Sequence, residues 1–230
     1  MVEKISVWGD SVLKGIVLDE ETGRYIRLGD RGCVPSVSRA IGIPIDNRSK
    51  FGMTSDKGRE LVKRDLEAGK VSDIGIICFG GNDVDRPWRE IAEHPDDSYT
   101  PNVPLEQFCD NLAVMATDLK TNGTTPIFVS IPPISADRYF RWFSKGIEKS
   151  GNILQWLGDV SNIYRQQELY NNAVLKTAKD LGCGLIDVRQ SFLKMFNYLD
   201  AICLDGIHPN EYGHRIMERV FVEYAEEYIK

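Results

Sequence analysis

The chain has 230 residues, 42% of them hydrophobic and 27% charged, with a formal net charge of −6. That is enough chain for a sizeable core, and the acidic balance excludes a general nucleic-acid partner, because neutralising phosphates takes a basic face. No run approaches the ~20 apolar residues of a membrane span, and the opening "MVEKISVWGDS" has charges at Glu3 and Lys4 where a signal peptide has its apolar core.

Apolar runs and helical patterns alternate along the chain. "KISVWG" (4–9) is the first strand expected, followed by the weaker "IPIDNRS" (43–49). "SDKGRELVKRDLEAG" (55–69) has a Ser start, mixed charges and a Gly stop, which predicts a helix. "DIGIICFG" (73–80) is a strong strand. In "PLEQFCDNLAVMATDLKTNG" (104–123), Leu105, Phe108, Leu112, Met115 and Leu119 recur at intervals of three and four, which is one helix face. "TPIFVSIPP" (125–133) is again a strand, "YRQQELYNNAVLKTAKDLG" (164–182) a helix, and "GLIDV" (184–188) the last strand. A final helix begins near Asn210 and carries Ile216, Val220, Tyr224 and Tyr228 on one stripe.

Nearly continuous apolar strands are those of a parallel sheet buried on both faces, and strands alternating with helices build an α/β fold. No internal repeat or low-complexity linker interrupts the pattern, so one domain over residues 1–230 is expected. The longest irregular stretches are roughly 84–103 and 132–152. In such a sheet, ligands bind beyond the carboxyl ends of the strands.

Three polar clusters stand where that rule directs attention. Gly9-Asp10-Ser11 follows the first strand, "FGGNDVD" places Asn82 and Asp83 after the strand at 73–80, and "LDGIHPNEYGH" places Asp205 and His208 before the last helix. Each cluster alone is also a plain structural device. Ser11 makes a good helix cap, Gly-Gly-Asn-Asp is a turn, and Asp-Gly before His-Pro-Asn is a turn feeding a helix. Together they hold the parts of an acyl-transfer site. Ser11 is a nucleophile once a base takes its proton, His208 is that base, and Asp205 holds its tautomer. The Asn82 side chain and the Ser11 amide are donors for an oxyanion. On these residues alone, replacing Asp205 by Asn is expected to be milder than losing His208, because water or a carbonyl partly orients the ring.

The same residues resemble the SGNH (GDSL-type) hydrolase superfamily, named for Ser, Gly, Asn and His in four separate blocks. Gly9-Asp10-Ser11 fits the Ser block, although Val12-Leu13 departs from the usual continuation. "GGND" (80–83) fits GxND and "DGIHP" (205–209) fits DxxHP. The blocks come in the family's order from residue 9 to 209, nearly the whole chain. Gly52 in "NRSKFGMTS" is the choice for the Gly block, with Gly42 and Gly58 as rivals. The resemblance implies that the Gly52 amide is a third oxyanion donor. It implies a three-layer α/β/α sandwich with a flavodoxin-like, five-stranded parallel sheet, and a serine esterase or acylhydrolase that needs no cofactor or metal.

The expected partner is a small-molecule ester, favoured as a short-chain ester such as an O-acetylated carbohydrate. Lysophospholipase or thioesterase activity on the same fold is the alternative. A two-metal phosphoesterase would need several His and Asp ligands, and His94, His208 and His214 are the only histidines. A non-catalytic binding module is disfavoured by the intact Ser, Asp and His. Trp88, Arg86 and Arg89 in 84–103, and Arg138 to Phe143 with Trp156 in 135–160, are either an aromatic wall for substrate or a packing cluster under long loops. Five cysteines (Cys33, Cys78, Cys109, Cys183 and Cys203) without CxxC spacing fit a reducing compartment, hence the cytoplasm. The oligomeric state is not legible.

Overall fold

Among the described residues, five of seven strands hydrogen-bond side by side in parallel, and all but the polar edge strand at 45–47 are short apolar runs. The computed structural model describes residues 2–70 and 72–229. In chain order the strands are β1 (Ile5–Gly9), β2 (Ile16–Asp19), β3 (Arg24–Arg27), β4 (Ile45–Asn47), β5 (Ile74–Cys78), β6 (Thr125–Val129) and β7 (Gly184–Ile186). The main sheet has the order β4-β1-β5-β6-β7, every pairing parallel. The helices are α1 (Ser11–Lys14), α2 (Cys33–Ile41), α3 (Ser55–Glu67), α4 (Trp88–Glu93), α5 (Leu105–Thr121), α6 (Ala136–Phe143), α7 (Ser150–Leu157), α8 (Ser161–Asp180), α9 (Val188–Leu193) and α10 (Glu211–Tyr228). All five expected strands and the four expected helices are present, with ends shifted by a few residues; α8 begins three residues earlier than expected.

The pleat divides the core in two, because successive side chains of a strand point to opposite faces. Ile5, Val7, Ile74, Ile76, Ile127 and Val129 face one side, against α2, α9 and α10. Trp8, Ile77 and Phe128 face the other, against α3, α5 and α8. This is the three-layer α/β/α sandwich. On the second face α3 carries Gly58 in its interior, where a glycine costs about 1 kcal/mol relative to alanine. A Cβ there would stand 2.4 Å from the Phe79 ring. Burying that ring contributes about 1.5–3 kcal/mol, which outweighs the glycine's cost. The contact seats Phe79 directly ahead of Gly80-Gly81-Asn82.

Three features were not legible in the chain. β2 and β3 form an antiparallel hairpin outside the main sheet. Short helices α4 and α6 lie within the two stretches expected to be irregular, and α7 begins at the end of the second. Trp88, Ile91, Ile134, Ile147, Ile153 and Ile163 bury against one another there, a third cluster that anchors both stretches over the end of the sheet.

Candidate active site

β1 and β5 are adjacent and parallel, with Gly9 opposite Cys78, so both chains leave the sheet at the same edge. After β1, Asp10 caps the one-turn helix α1, accepting the Val12 amide at 2.9 Å. Ser11 is the first helical residue, so its own amide has no partner within the helix. After β5, the Gly-Gly turn presents Asn82 beside Asp10. The third segment arrives from the far end of the chain. The loop 202–209 is held by the Cys203 amide donating to the His208 carbonyl at 2.8 Å. It is then fixed by Asn210, which caps α10 by accepting the Gly213 amide.

These segments bring Ser11, His208 and Asp205 into one hydrogen-bonded line. Ser11 Oγ lies 2.8 Å from His208 Nε2, and His208 Nδ1 lies 2.6 Å from Asp205 Oδ2. A carboxylate only accepts, so Nδ1 carries the proton and Nε2 is left to accept from the serine. Asp205 Oδ1 accepts the amides of Ile207 and His208 at 3.1 and 3.2 Å. Burial pushes the Asp205 carboxyl up, but His208 and these amides outweigh it and hold it below its ordinary value. Gly206, between them, has φ +81°, and a Cβ there would stand 2.4 Å from the Tyr139 amide nitrogen. Only glycine lets the loop adopt that turn under α6.

Around the serine, Asn82 Nδ2 donates to Asp10 Oδ2 at 3.3 Å and to the Met53 carbonyl at 3.2 Å. These two acceptors engage both N–H groups of the amide and fix its orientation. Gly52 directly precedes Met53 and has φ +68°, and its amide has no acceptor among the described residues. Burial pushes the Asp10 carboxyl up to about 6, against the Val12 amide bond, the nearby His208 and the Asn82 bond. His214 stands apart from this line. It is buried, its Nδ1 accepts the Cys33 amide at 3.3 Å, and burial lowers its pKa to about 4. Among the described residues no group of three or more His, Cys, Asp or Glu stands together as a metal site.

The model of the GDSL-like lipase/acylhydrolase family matches residues 7–216. The chain belongs to that family. It is 28% identical over 157 residues to the GDSL esterase/lipase WDL1 of Oryza sativa subsp. japonica, covering 66% of this chain and 53% of that protein. The chain therefore spans about half the length of that relative. Among solved structures, the lipase/acylhydrolase from Enterococcus faecalis superimposes with a TM-score of 0.70 at 17% identity, over 99% of this chain and 97% of that one. A catalytic mutant of Axe2, an acetylxylan esterase from Geobacillus stearothermophilus, gives 0.64 at 19% identity, over 96% and 93%. At such identities the two structures speak for the fold.

Beside the GDSL-type serine the structure has a cavity of about 320 Å³. Ser11, Asn82 and His208 line it. Arg86, Trp88, Tyr139 and Trp156, singled out in the sequence, also line it. The other rim candidates do not. Phe143 stacks on Trp88 with centroids 4.6 Å apart, and Arg138 donates to the Leu199 and Ile202 carbonyls. The aromatic stretch is thus both wall and packing. Sequence reasoning missed a second set. Tyr25 on β3 meets the His208 ring edge-on at 5.1 Å, and Phe51 stacks near it at 6.2 Å. Burial and then the Asp205 charge push the Tyr25 phenol up. Nothing in "GRYIRL" marks Tyr25, because the contact depends on where the hairpin folds back.

No helix among the described residues is long and apolar enough to cross a membrane.

Proposed function

We propose that this chain is a serine esterase that cleaves a short-chain carboxylic ester through an acyl-enzyme. The observation that carries the reading is the unbroken line Ser11 Oγ, His208, Asp205, with 2.8 and 2.6 Å links. His208 Nε2 takes the Ser11 proton as Oγ attacks the ester carbonyl carbon. The carbonyl oxygen becomes an oxyanion, met by the Ser11 and Gly52 amides and by Asn82 Nδ2. His208 then gives its proton to the departing alcohol oxygen, leaving Ser11 acylated. Water repeats the sequence on the acyl-enzyme and releases the acid. Asp205 stabilises the imidazolium in both halves. A cavity of about 320 Å³ shared by both halves of the ester supports a short acyl group. Five unpaired cysteines support a reducing compartment such as the cytoplasm.

A fluorophosphonate probe tests the assignment directly. It is expected to label the wild type at Ser11 and to leave Ser11→Ala unlabelled and folded. Labelling that persists in Ser11→Ala would overturn the proposal.

A further inference from the structure

The hairpin β2–β3 lies outside the main sheet, and it is seated on the loop that carries the base. Val17 and Leu18 of β2 and Leu28 after β3 bury with Cys203, two residues ahead of Asp205, and Trp142 of α6 packs on them. Tyr25 stands opposite Leu18 in the hairpin register. Three rings converge on it. Its centroid lies 5.1 Å from that of His208, 5.4 Å from Phe51 and 6.2 Å from Trp142. Phe51 in turn lies nearly parallel to the His208 ring, at 6.2 Å. The Tyr25 phenol is within reach of the Asp205 charge. Exposure divides sharply across this cluster: Asp205 is 0% and His208 3% exposed, whereas Tyr25 is 37% and Phe51 56% exposed. The two aromatic rings therefore stand between water and the Asp205–His208 pair.

None of Tyr25, Phe51 and Trp142 lines the cavity beside Ser11, although His208 does. The rings cover His208 from outside the cavity, which sets them apart from a wall for substrate. Their placement has a chemical consequence. As Ser11 loses its proton, His208 becomes an imidazolium held against Asp205 Oδ2 at 2.6 Å. The attraction between two charges falls as the effective dielectric rises, so it is strongest while the pair is dry. Water at Asp205 would also compete for the acceptor that keeps the proton on Nδ1. A ring excludes water with or without a hydroxyl. We propose that Tyr25, backed by Phe51 and Trp142, is a positioning residue that caps the Asp205–His208 pair against solvent, and that its ring rather than its hydroxyl carries this role. The proposal rests on the serine-esterase reading.

The test compares wild type, Tyr25→Ala and Tyr25→Phe on p-nitrophenyl acetate and follows the His208 Nδ1 proton by NMR. Tyr25→Ala is expected to lose about 10–100-fold in kcat with KM within about twofold, because the imidazolium forms only on the way to the transition state. Tyr25→Phe keeps the ring and is expected to recover kcat to within about threefold of wild type, the effect of one neutral hydroxyl. A proton held between imidazole and carboxylate resonates downfield of the amides and is assigned by its loss in His208→Ala. It is expected to be sharp in the wild type and Tyr25→Phe, and broadened by exchange with water in Tyr25→Ala. If Tyr25→Ala melts early, Phe51→Ala takes its place, since it strips a more exposed ring from the same cap; it is expected to lower kcat in smaller measure, and an unchanged kcat there would overturn the cap. Raised KM with kcat intact would make the rings a substrate platform. Equal losses in Tyr25→Phe and Tyr25→Ala would place the role on the hydroxyl. A folded Tyr25→Ala with wild-type kcat, a sharp proton in that variant, or none in the wild type would show that this ring does not keep the pair dry. Each of these would overturn the cap while leaving the esterase standing. A proton that broadens in Tyr25→Ala alone, with no acetate cleaved by the wild type, would keep the cap and overturn the esterase.

Discussion

Replacing Asp205 by Asn removes one charge and should disable the base without moving it. Asp205 is fully buried, so water has no route to take over its role. Its Oδ1 accepts two backbone amides, from Ile207 and His208, and its Oδ2 accepts the His208 ring. An asparagine in this place has two orientations. With its NH2 toward the backbone it opposes two N–H donors. With its NH2 toward His208 it opposes one, so this second orientation wins. The amide then donates to Nδ1, the imidazole proton moves to Nε2, and the ring donates to Ser11 where it should accept. Restoring the working tautomer turns the amide against N–H donors and leaves buried polar groups unsatisfied, about 1.5–3 kcal/mol, and the imidazolium loses its charge-assisted hydrogen bond to the carboxylate, a comparable amount. The sum, about 3–6 kcal/mol, is roughly 10²–10⁴ in kcat. This is harsher than the sequence alone implied, because burial excludes the water that was to orient the ring. The assay is hydrolysis of p-nitrophenyl acetate with fluorophosphonate titration of Ser11 and a melting curve to show that the fold persists. A folded Asp205→Asn enzyme within tenfold of wild-type kcat would refute the tautomer argument.

Asn82→Ala is expected to lose roughly 10²–10³ in kcat while KM stays within a few-fold and the melting temperature holds, as for an oxyanion donor that bonds most strongly to charge in the transition state. Near wild-type kcat with a sharply lower Tm would make Asn82 structural. Asp83 accepts the Ser55 amide through Oδ1, its Oδ2 is buried without a donor, and burial pushes its carboxyl up to about 6. The folded state therefore holds the proton more tightly than the unfolded chain, and this costs stability as pH rises from about 4 to 6. Asp83→Asn should be the more stable protein at pH 8, by up to roughly 3 kcal/mol in urea, with the advantage gone at pH 4; an equal gain at both pH values would show that charge is not the cause. Gly206→Ala places a Cβ 2.4 Å from the Tyr139 amide nitrogen and 2.7 Å from the Ser135 carbonyl oxygen at φ +81°. It should cost about 1–3 kcal/mol of stability and displace His208 enough to lower kcat; a variant with wild-type melting and turnover would contradict that.

The strands and their parallel class were legible because they are local: "ISVWG" and "IGIIC" are apolar on both faces, which suits only a strand covered on both sides. The polar blocks were legible because a sheet of this class aims its carboxyl ends at one edge, so Ser11 and Asn82 belong near each other wherever the helices run. The meeting of Ser11 with His208 is another matter. They are 197 positions apart, and their 2.8 Å contact exists only because the 202–209 loop is tied back on itself and seated under α6 around Gly206. Tyr25 and Phe51 beside His208, and the short helices inside two stretches that read as irregular, were decided at the same level. β3 is exposed along its length and has no buried face to read, and α6 is only eight residues long and partly covered, so its pattern is too short to set a helix apart from a loop. The surroundings of Asp85 and Arg86 are likewise a tertiary fact. Two neighbouring opposite charges read as a pair in any sequence, and here Trp88, Tyr139 and Gln166 draw them toward different partners in the lining of the cavity.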